Sequence, residues 1–314
     1  MDVVLLFPGQ GSQKPGMGKD LAEAFPAARA VFEAADSALG DALSTLCFEG
    51  PADTLTLTSN AQPALLTHGA AAWAVVREAL AGRVRAAAGH SLGEFTAYHA
   101  AGSLSLENAV RLVRARGELM QQAGSERSGA MAAILGDLGE PIDGICERAS
   151  ADPEGGLVVP ANYNCPGQVV ISGEVSGVER AMALCKEAGA KRAMRLNVSG
   201  AFHSPLMAPA RDGLAAAIAA AGFAEPAISV FANVTADRVP DAATAQRLCV
   251  EQLTAPVRWT ALVERMASAY PAALFVELGP GSVLSGLVRK IAPGVATAQC
   301  GTPADVEQLL AKVA

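Results

Sequence analysis

The sequence predicts an α/β fold with a smaller lobe inserted into it, and three observations carry that reading. Short apolar runs alternate with longer amphipathic stretches, the pattern of strands and helices in alternation. Two of the runs end in sharp corners, Phe7-Pro8-Gly9 and Gly89-His90-Ser91-Leu92-Gly93. Between residues 129 and 197 the rhythm changes to β-α-β-β-α-β, a ferredoxin-like split unit that closes on itself.

The elements follow in order. Residues 3–7 are a continuous apolar strand stopped by Pro8-Gly9. Asn60 and Pro63 introduce a helix over 61–80. A short strand over 84–89 runs straight into His90-Ser91, and helices over 92–101 and 106–123 follow, parted by Gly102-Ser103. The inserted unit reads as strand 130–135, helix 140–149, strands 157–162 and 168–172 around Asn164-Cys165-Pro166-Gly167, helix 175–188 and strand 191–196. Linkers at 125–128 and 197–200 bound it, so a small lobe is expected over 128–197 and a discontinuous main domain over 1–127 and 198–314. Beyond it come a helix at 205–221, a strand at 227–231, helices at 241–253 and 259–269, and a strand at 273–277 that ends in Gly279-Pro280-Gly281.

Composition narrows the function classes. With 314 residues and 51% hydrophobic content a large core is available, and 4% aromatics means that it is built from Ala, Val and Leu. A net charge of −7 excludes a general nucleic-acid binder, which needs a basic excess. The longest apolar run, 214–221, is far shorter than the roughly 20 residues of a membrane span. The N-terminus lacks the basic stretch of a signal peptide, and the six cysteines form no CxxC pair, so reduced thiols and a cytoplasmic protein are expected. No metal site is expected. Gly9-Gln10-Gly11-Ser12-Gln13 is similar to a phosphate loop, but GxGxxG breaks at Lys14 and no GK[ST] follows. A residue on such a loop can instead lend a backbone N–H to an oxyanion hole.

The sharpest motif is Gly89-His90-Ser91-Leu92-Gly93, a GxSxG between a predicted strand and a predicted helix. That corner lifts a serine hydroxyl clear of the backbone and sets the N–H groups of a helix start beside a developing oxyanion. A serine nucleophile needs a base. Of the four histidines, His68 sits in an alanine-rich helix, His90 is locked in the corner, and His99 lies two turns into the next helix. His203, in Ser199-Gly200-Ala201-Phe202-His203-Ser204-Pro205 between a strand and a helix, is the candidate base. No acid completes a triad: either a backbone carbonyl orients the histidine, or an acid arrives from elsewhere. Glu277 is the one tempting carboxylate, with loop-tying or helix-capping as its simpler role. Arg116 falls on the apolar stripe of its helix with Val113, Gly117 and Met120. A buried guanidinium must be paired, either in a structural ion pair or with a ligand carboxylate. Beside a nucleophilic serine, the second option makes the substrate an acyl group with a free carboxylate.

These residues resemble the malonyl-CoA:acyl carrier protein transacylases and the related acyltransferase domains of polyketide synthases. The resemblance covers nearly the whole chain. It rests on Phe7-Pro8-Gly9-Gln10-Gly11-Ser12-Gln13, Gly89-His90-Ser91-Leu92-Gly93-Glu94, Arg116-Gly117 and Asn162-Tyr163-Asn164-Cys165-Pro166-Gly167-Gln168. It continues through Gly200-Ala201-Phe202-His203-Ser204, Gln252-Leu253 with Pro256-Val257, and Glu277-Leu278-Gly279-Pro280-Gly281. It implies an α/β-hydrolase-like domain with a ferredoxin-like insertion and a catalytic pair of Ser91 and His203, the histidine oriented by the main-chain carbonyl of Gln252. It further implies an oxyanion hole from the N–H groups of Gln10 and Leu92, a salt bridge from Arg116 to the malonyl carboxylate, and substrate contacts at Phe202, Asn162 and Gln252. Phe202 fits the malonyl-type rather than the methylmalonyl-type pattern. The implied partners are malonyl-CoA, as substrate rather than cofactor, and an acyl carrier protein. A monomer is the simplest expectation, and the chain looks like a stand-alone enzyme. Two other readings share features: a serine esterase or thioesterase, which leaves Arg116 without a purpose, and a silent carrier-binding subunit, which leaves the Ser–His pair without one. Both implied partners are anionic, so positive charge must be local: Arg111 and Arg114, Lys186, Lys191, Arg192 and Arg195, or Arg289 and Lys290.

Overall fold

The computed structural model describes residues 1–314 as a mixed α/β protein with two sheets. The strands are Val3–Phe7 (β1), Val84–Gly89 (β2), Gly129–Leu135 (β3), Val158–Cys165 (β4) and Gln168–Glu174 (β5). Arg192–Arg195 (β6), Ser229–Ala232 (β7), Asp237–Arg238 (β8), Leu274–Leu278 (β9) and Ala296–Cys300 (β10) complete them. The larger sheet has the order β10-β9-β1-β2-β7-β8 and is parallel apart from β8. β1 and β9 lie inside it with every residue buried, which is why β1 reads as an unbroken apolar run and β9 is interrupted only by Glu277. The smaller sheet, β4-β5-β3-β6, is antiparallel and is built entirely from the stretch that showed the split β-α-β-β-α-β rhythm. Helices Ile142–Ala151 and Val175–Glu187 cover it around a separate apolar cluster.

Register places the chemistry. Phe7 pairs with Gly89, and His90 N–H donates to the Phe7 carbonyl at 3.0 Å. The loop after β1 and the corner after β2 therefore emerge side by side at the carboxyl ends of parallel strands, where open α/β sheets bind ligands. The small sheet is fastened above them. Tyr163 N–H donates to the Val257 carbonyl at 2.9 Å, Val257 N–H to the Ala161 carbonyl at 2.8 Å, and the Thr260 hydroxyl to the Tyr163 carbonyl at 3.0 Å.

Three departures from the expected elements have local causes. The helix expected over 205–221 is a 3₁₀ turn, Pro205–Ala210, followed by an α-helix, Arg211–Ala220, because Pro209 cannot donate into an α-helical ladder. β4 continues through Asn164 to Cys165, so only Pro166-Gly167 turns, and the asparagines at 162 and 164 lie on a strand. Four helices occupy residues 19–56, where no element was assigned. Three of them span seven residues or fewer, too short for a 3.6-residue period to show. No helix is long and apolar enough to cross a membrane, and all six cysteines are buried and unpaired.

Candidate active site

The corner after β2 is set by two close approaches. A Cβ on Gly89 would lie 1.9 Å from the Gly93 carbonyl carbon, and one on Gly93 would lie 2.0 Å from the Phe7 oxygen. Neither position admits a side chain, so strand and following helix, Gly93–Ala100, touch backbone to backbone. Ser91 sits between them at φ 53, a left-handed conformation that costs a non-glycine residue energy unless its surroundings fix it. Asn233, just past β7, supplies that fixing: its Oδ1 accepts from Ser91 N–H at 2.7 Å and its Nδ2 donates to the Gly89 carbonyl at 2.8 Å.

His203 also has a left-handed backbone, φ 56, and its Nε2 lies 2.7 Å from Ser91 Oγ. Its Nδ1 lies 2.9 Å from the main-chain oxygen of Gln252, the residue capping the C-terminal end of helix Ala242–Glu251. A carbonyl only accepts, so Nδ1 carries the proton and Nε2 offers its lone pair to the Ser91 hydroxyl. No carboxylate takes part. Burial, and then the nearby Arg116 charge, push the His203 pKa down to about 3, so the imidazole is neutral at physiological pH.

Arg116 is 1% exposed on helix Leu106–Glu126 and has no carboxylate within ion-pair distance. The structural ion pair left open by the sequence is therefore absent. Its Nη1 donates to Gln62 Oε1 at 2.6 Å, and its Nη2 donates to Gln252 Oε1 at 2.9 Å and to Ser91 Oγ at 3.2 Å. Its Nε has no partner. Burial lowers its pKa to about 10, which still leaves it charged. A cation held by neutral amides next to a serine hydroxyl is free to receive an anionic group.

A cavity of about 450 Å³ opens onto this arrangement. Gln10, Ser91, Leu92, Arg116, Phe202 and His203 line it from the large sheet's side, and Asn162, Asn164 and Gln168 from the small sheet's side. The main-chain N–H groups of Gln10 and Leu92 make no hydrogen bond within the chain. Gln252 lies behind the serine, fully buried, and reaches the site through its carbonyl and its amide.

Other candidates fall outside the chemistry. His68 and His99 are tied to the carbonyls of Gly301 (2.9 Å) and Leu104 (3.0 Å). His90 Nε2 donates to Asn164 Oδ1 at 2.8 Å, linking the corner to the small sheet. Glu277 accepts from Leu284 N–H at 2.9 Å and Ser285 N–H at 2.7 Å, capping helix Val283–Ile291. Among the basic residues, Arg114 pairs with Asp41 at 2.7 Å, Arg111 donates to the Ala38 carbonyl, and Arg195 pairs with Glu179. Asn233 and Gln62 were missed. Asn233 stands just past the end of a parallel strand, a place where polar residues could have been flagged; Gln62 gave no signal in a helix otherwise read for packing.

Comparison with known proteins identifies the family. Residues 4–302 match the family described as the acyl transferase domain. The malonyl CoA-acyl carrier protein transacylase of Bacillus subtilis is 46% identical over 97% of this chain and 95% of its own length. The acyl-carrier-protein S-malonyltransferase of Bartonella henselae superposes with a TM-score of 0.93 at 42% identity, over 100% of this chain and 99% of that one. A malonyl-transacylase solved in complex with a type II PKS acyl-carrier protein superposes at 0.94 with 41% identity, over 99% and 100% of the two chains. A corner serine, a neutral histidine and an unpaired arginine lining one cavity thus sit in a chain that belongs to the acyl transferase family, among the malonyl CoA-acyl carrier protein transacylases.

Proposed function

We propose that this protein transfers the malonyl group from malonyl-CoA to the phosphopantetheine thiol of an acyl carrier protein through a malonyl-serine intermediate, supplying extender units for fatty-acid or polyketide synthesis. The observation that carries the reading is the meeting of three groups at one oxygen: Ser91 Oγ lies 2.7 Å from His203 Nε2 and 3.2 Å from Arg116 Nη2. His203 takes the hydroxyl proton as Oγ attacks the thioester carbonyl. The free N–H groups of Gln10 and Leu92 receive the oxyanion. The carbon–sulfur bond breaks and coenzyme A leaves with the proton from His203. The carrier thiol then gives its proton to His203, attacks the serine ester and departs as the malonyl thioester, while Ser91 regains its hydrogen. Arg116 holds the malonyl carboxylate throughout, with Phe202, Asn162 and Gln252 shaping or backing the pocket. No step calls for a metal or a cofactor.

In the same reading the fold is an α/β-hydrolase-like domain, residues 1–127 and 198–314, carrying a ferredoxin-like insertion at 128–197; the strand order β4-β5-β3-β6 supports the latter. The enzyme works as a cytoplasmic monomer. The carrier docks where Lys191 and Arg192 and, from the other side, Lys290 flank the β4–β5 turn. Gly136, against which Lys191 packs, is hydrogen-bonded to Gly167 in that turn, and helix Val283–Ile291, which carries Lys290, packs against β4. Reversing the charge at Lys191, Arg192, Arg289 and Lys290 together is expected to weaken carrier binding about tenfold or more, measured by calorimetry at low salt, and to leave malonyl loading from coenzyme A unchanged. Unaltered affinity places the docking surface elsewhere.

The transfer itself is tested by intact mass. Incubation with malonyl-CoA gives a single malonyl adduct that is absent from Ser91→Ala and discharged by holo carrier protein. A chain that gains no adduct, or that hydrolyses neutral esters rapidly instead, is not a malonyl transferase.

A further inference from the structure

Behind the site lies a buried carboxylate that the transfer steps do not use. Glu94 is completely buried in the first turn of helix Gly93–Ala100. One of its oxygens, Oε2, accepts from Asn233 N–H at 2.9 Å and from Gln252 Nε2 at 2.8 Å; the other is 3.4 Å from the Tyr98 hydroxyl. Those two donors hold everything in front of them. Asn233 clamps Ser91 N–H and the Gly89 carbonyl. Gln252 donates from Nε2 to the Ser91 carbonyl at 3.0 Å, accepts from Arg116 at Oε1, and accepts from His203 at its main-chain oxygen.

We propose that Glu94 is the positioning residue of this site. Through Asn233 and Gln252 it fixes the serine, the histidine's acceptor and the arginine together, and across the single amide of Gln252 it is the counter-charge of Arg116. The inference rests on the transferase reading above. Its electrostatic side follows from the surroundings. Arg116 touches only neutral groups, so Glu94 is the carboxylate whose field acts on it. The ionisable groups around Glu94 are Tyr98 on its own helix, Arg116, and Cys249 on helix Ala242–Glu251. Burial raises its pKa to about 7, and its hydrogen bonds and Arg116 hold it from rising further. A second anion arriving at Arg116 therefore competes with Glu94 for the same cation.

The test compares Glu94→Ala with Glu94→Gln at pH 8 in the full-length chain. The readouts are Ser91 labelling by a fluorophosphonate and steady-state kinetics with malonyl-CoA and acetyl-CoA. Glu94→Ala loses both tethers and is expected to label about 10²-fold more slowly, the cost of a small misplacement. Glu94→Gln keeps an acceptor oxygen for Asn233 and Gln252 but removes the charge. It is expected to restore labelling to within about threefold of the parent and to lower KM for malonyl-CoA about fivefold, with KM for acetyl-CoA unmoved. Parent-like labelling by Glu94→Ala, or malonyl and acetyl KM values that move together in Glu94→Gln, overturns the proposal. If Glu94→Ala does not fold, Glu94→Asp keeps the charge and shortens the reach: about tenfold slower labelling with an unchanged KM ratio supports the assignment, and parent-like labelling overturns it. Labelling reads the serine whatever acyl group the enzyme prefers. A failure here is thus distinguishable from a failure of the malonyl reading, which the adduct on the parent chain reports.

Discussion

Replacing Arg116 by alanine is expected to lower kcat/KM for malonyl-CoA about 10²-fold or more while changing that for acetyl-CoA less than tenfold. Truncating one member of a buried charge pair costs about 2–5 kcal/mol, and the partner lost here is carried by one substrate and not the other. The geometry makes the asymmetry sharp. The guanidinium is held by the side-chain oxygens of Gln62 and Gln252, so it is aimed before any ligand arrives and needs little ordering on binding. The measurement is a side-by-side comparison of the two thioesters with matched carrier; equal losses would make Arg116 a structural residue. Arg116→Lys keeps a charge but loses the planar fork, and falls between the two.

Removing the base has a larger effect. His203→Ala is expected to slow malonyl loading about 10³–10⁴-fold, the upper range for loss of a positioned general base, with little change in affinity for malonyl-CoA. The pH behaviour of the intact pair follows from its surroundings. His203 is held neutral by burial first and by Arg116 second, with a pKa of about 3. Ser91 labelling is therefore expected to persist as pH falls through 6.5, where a free histidine protonates, and to decline only well below it. In Arg116→Ala the acid limb moves upward, because the largest lowering influence after burial is gone. Stability carries the same sign: between 6.5 and about 3 the unfolded chain binds a proton that the folded one does not, so the contribution is full above 6.5 and is lost as pH falls. A wild-type acid limb at 6.5 or above contradicts this placement of the imidazole.

Much of this site could be read from the chain because its chemistry is written in local motifs. The corner at 89–93 needs glycines for close contact, and a contact requirement leaves a fixed spacing in the sequence. His203 was singled out by elimination among four histidines; the structure sets it 2.7 Å from Ser91 Oγ and ties His68 to the distant Gly301 carbonyl and His99 to the nearby Leu104 carbonyl. Arg116 was legible because a cation on an apolar stripe violates the helical pattern. What could not be read was anything that depends on distant segments meeting. Asn233 and Ser91 are joined across 142 positions, and Gln62 and Arg116 across 54. Neither asparagine nor glutamine is unusual where it stands. The fold followed the same division: β1 and β2 were legible as short runs stopped by sharp corners and the inserted unit from its order of elements, whereas the short helices within residues 19–56 gave no period to read.

The orientation of His203 by Gln252 has a consequence for how the enzyme withstands mutation. The accepting oxygen belongs to the main chain, at the end of helix Ala242–Glu251, where carbonyls lack partners within the helix and carry its negative pole. No single codon change can delete that group. A triad aspartate can be lost to one nucleotide; this acceptor can be lost only by rerouting the helix. The anionic end of a helix thus stands where other serine enzymes keep an acid, and the accepting oxygen itself is a backbone atom that every residue at that position would supply.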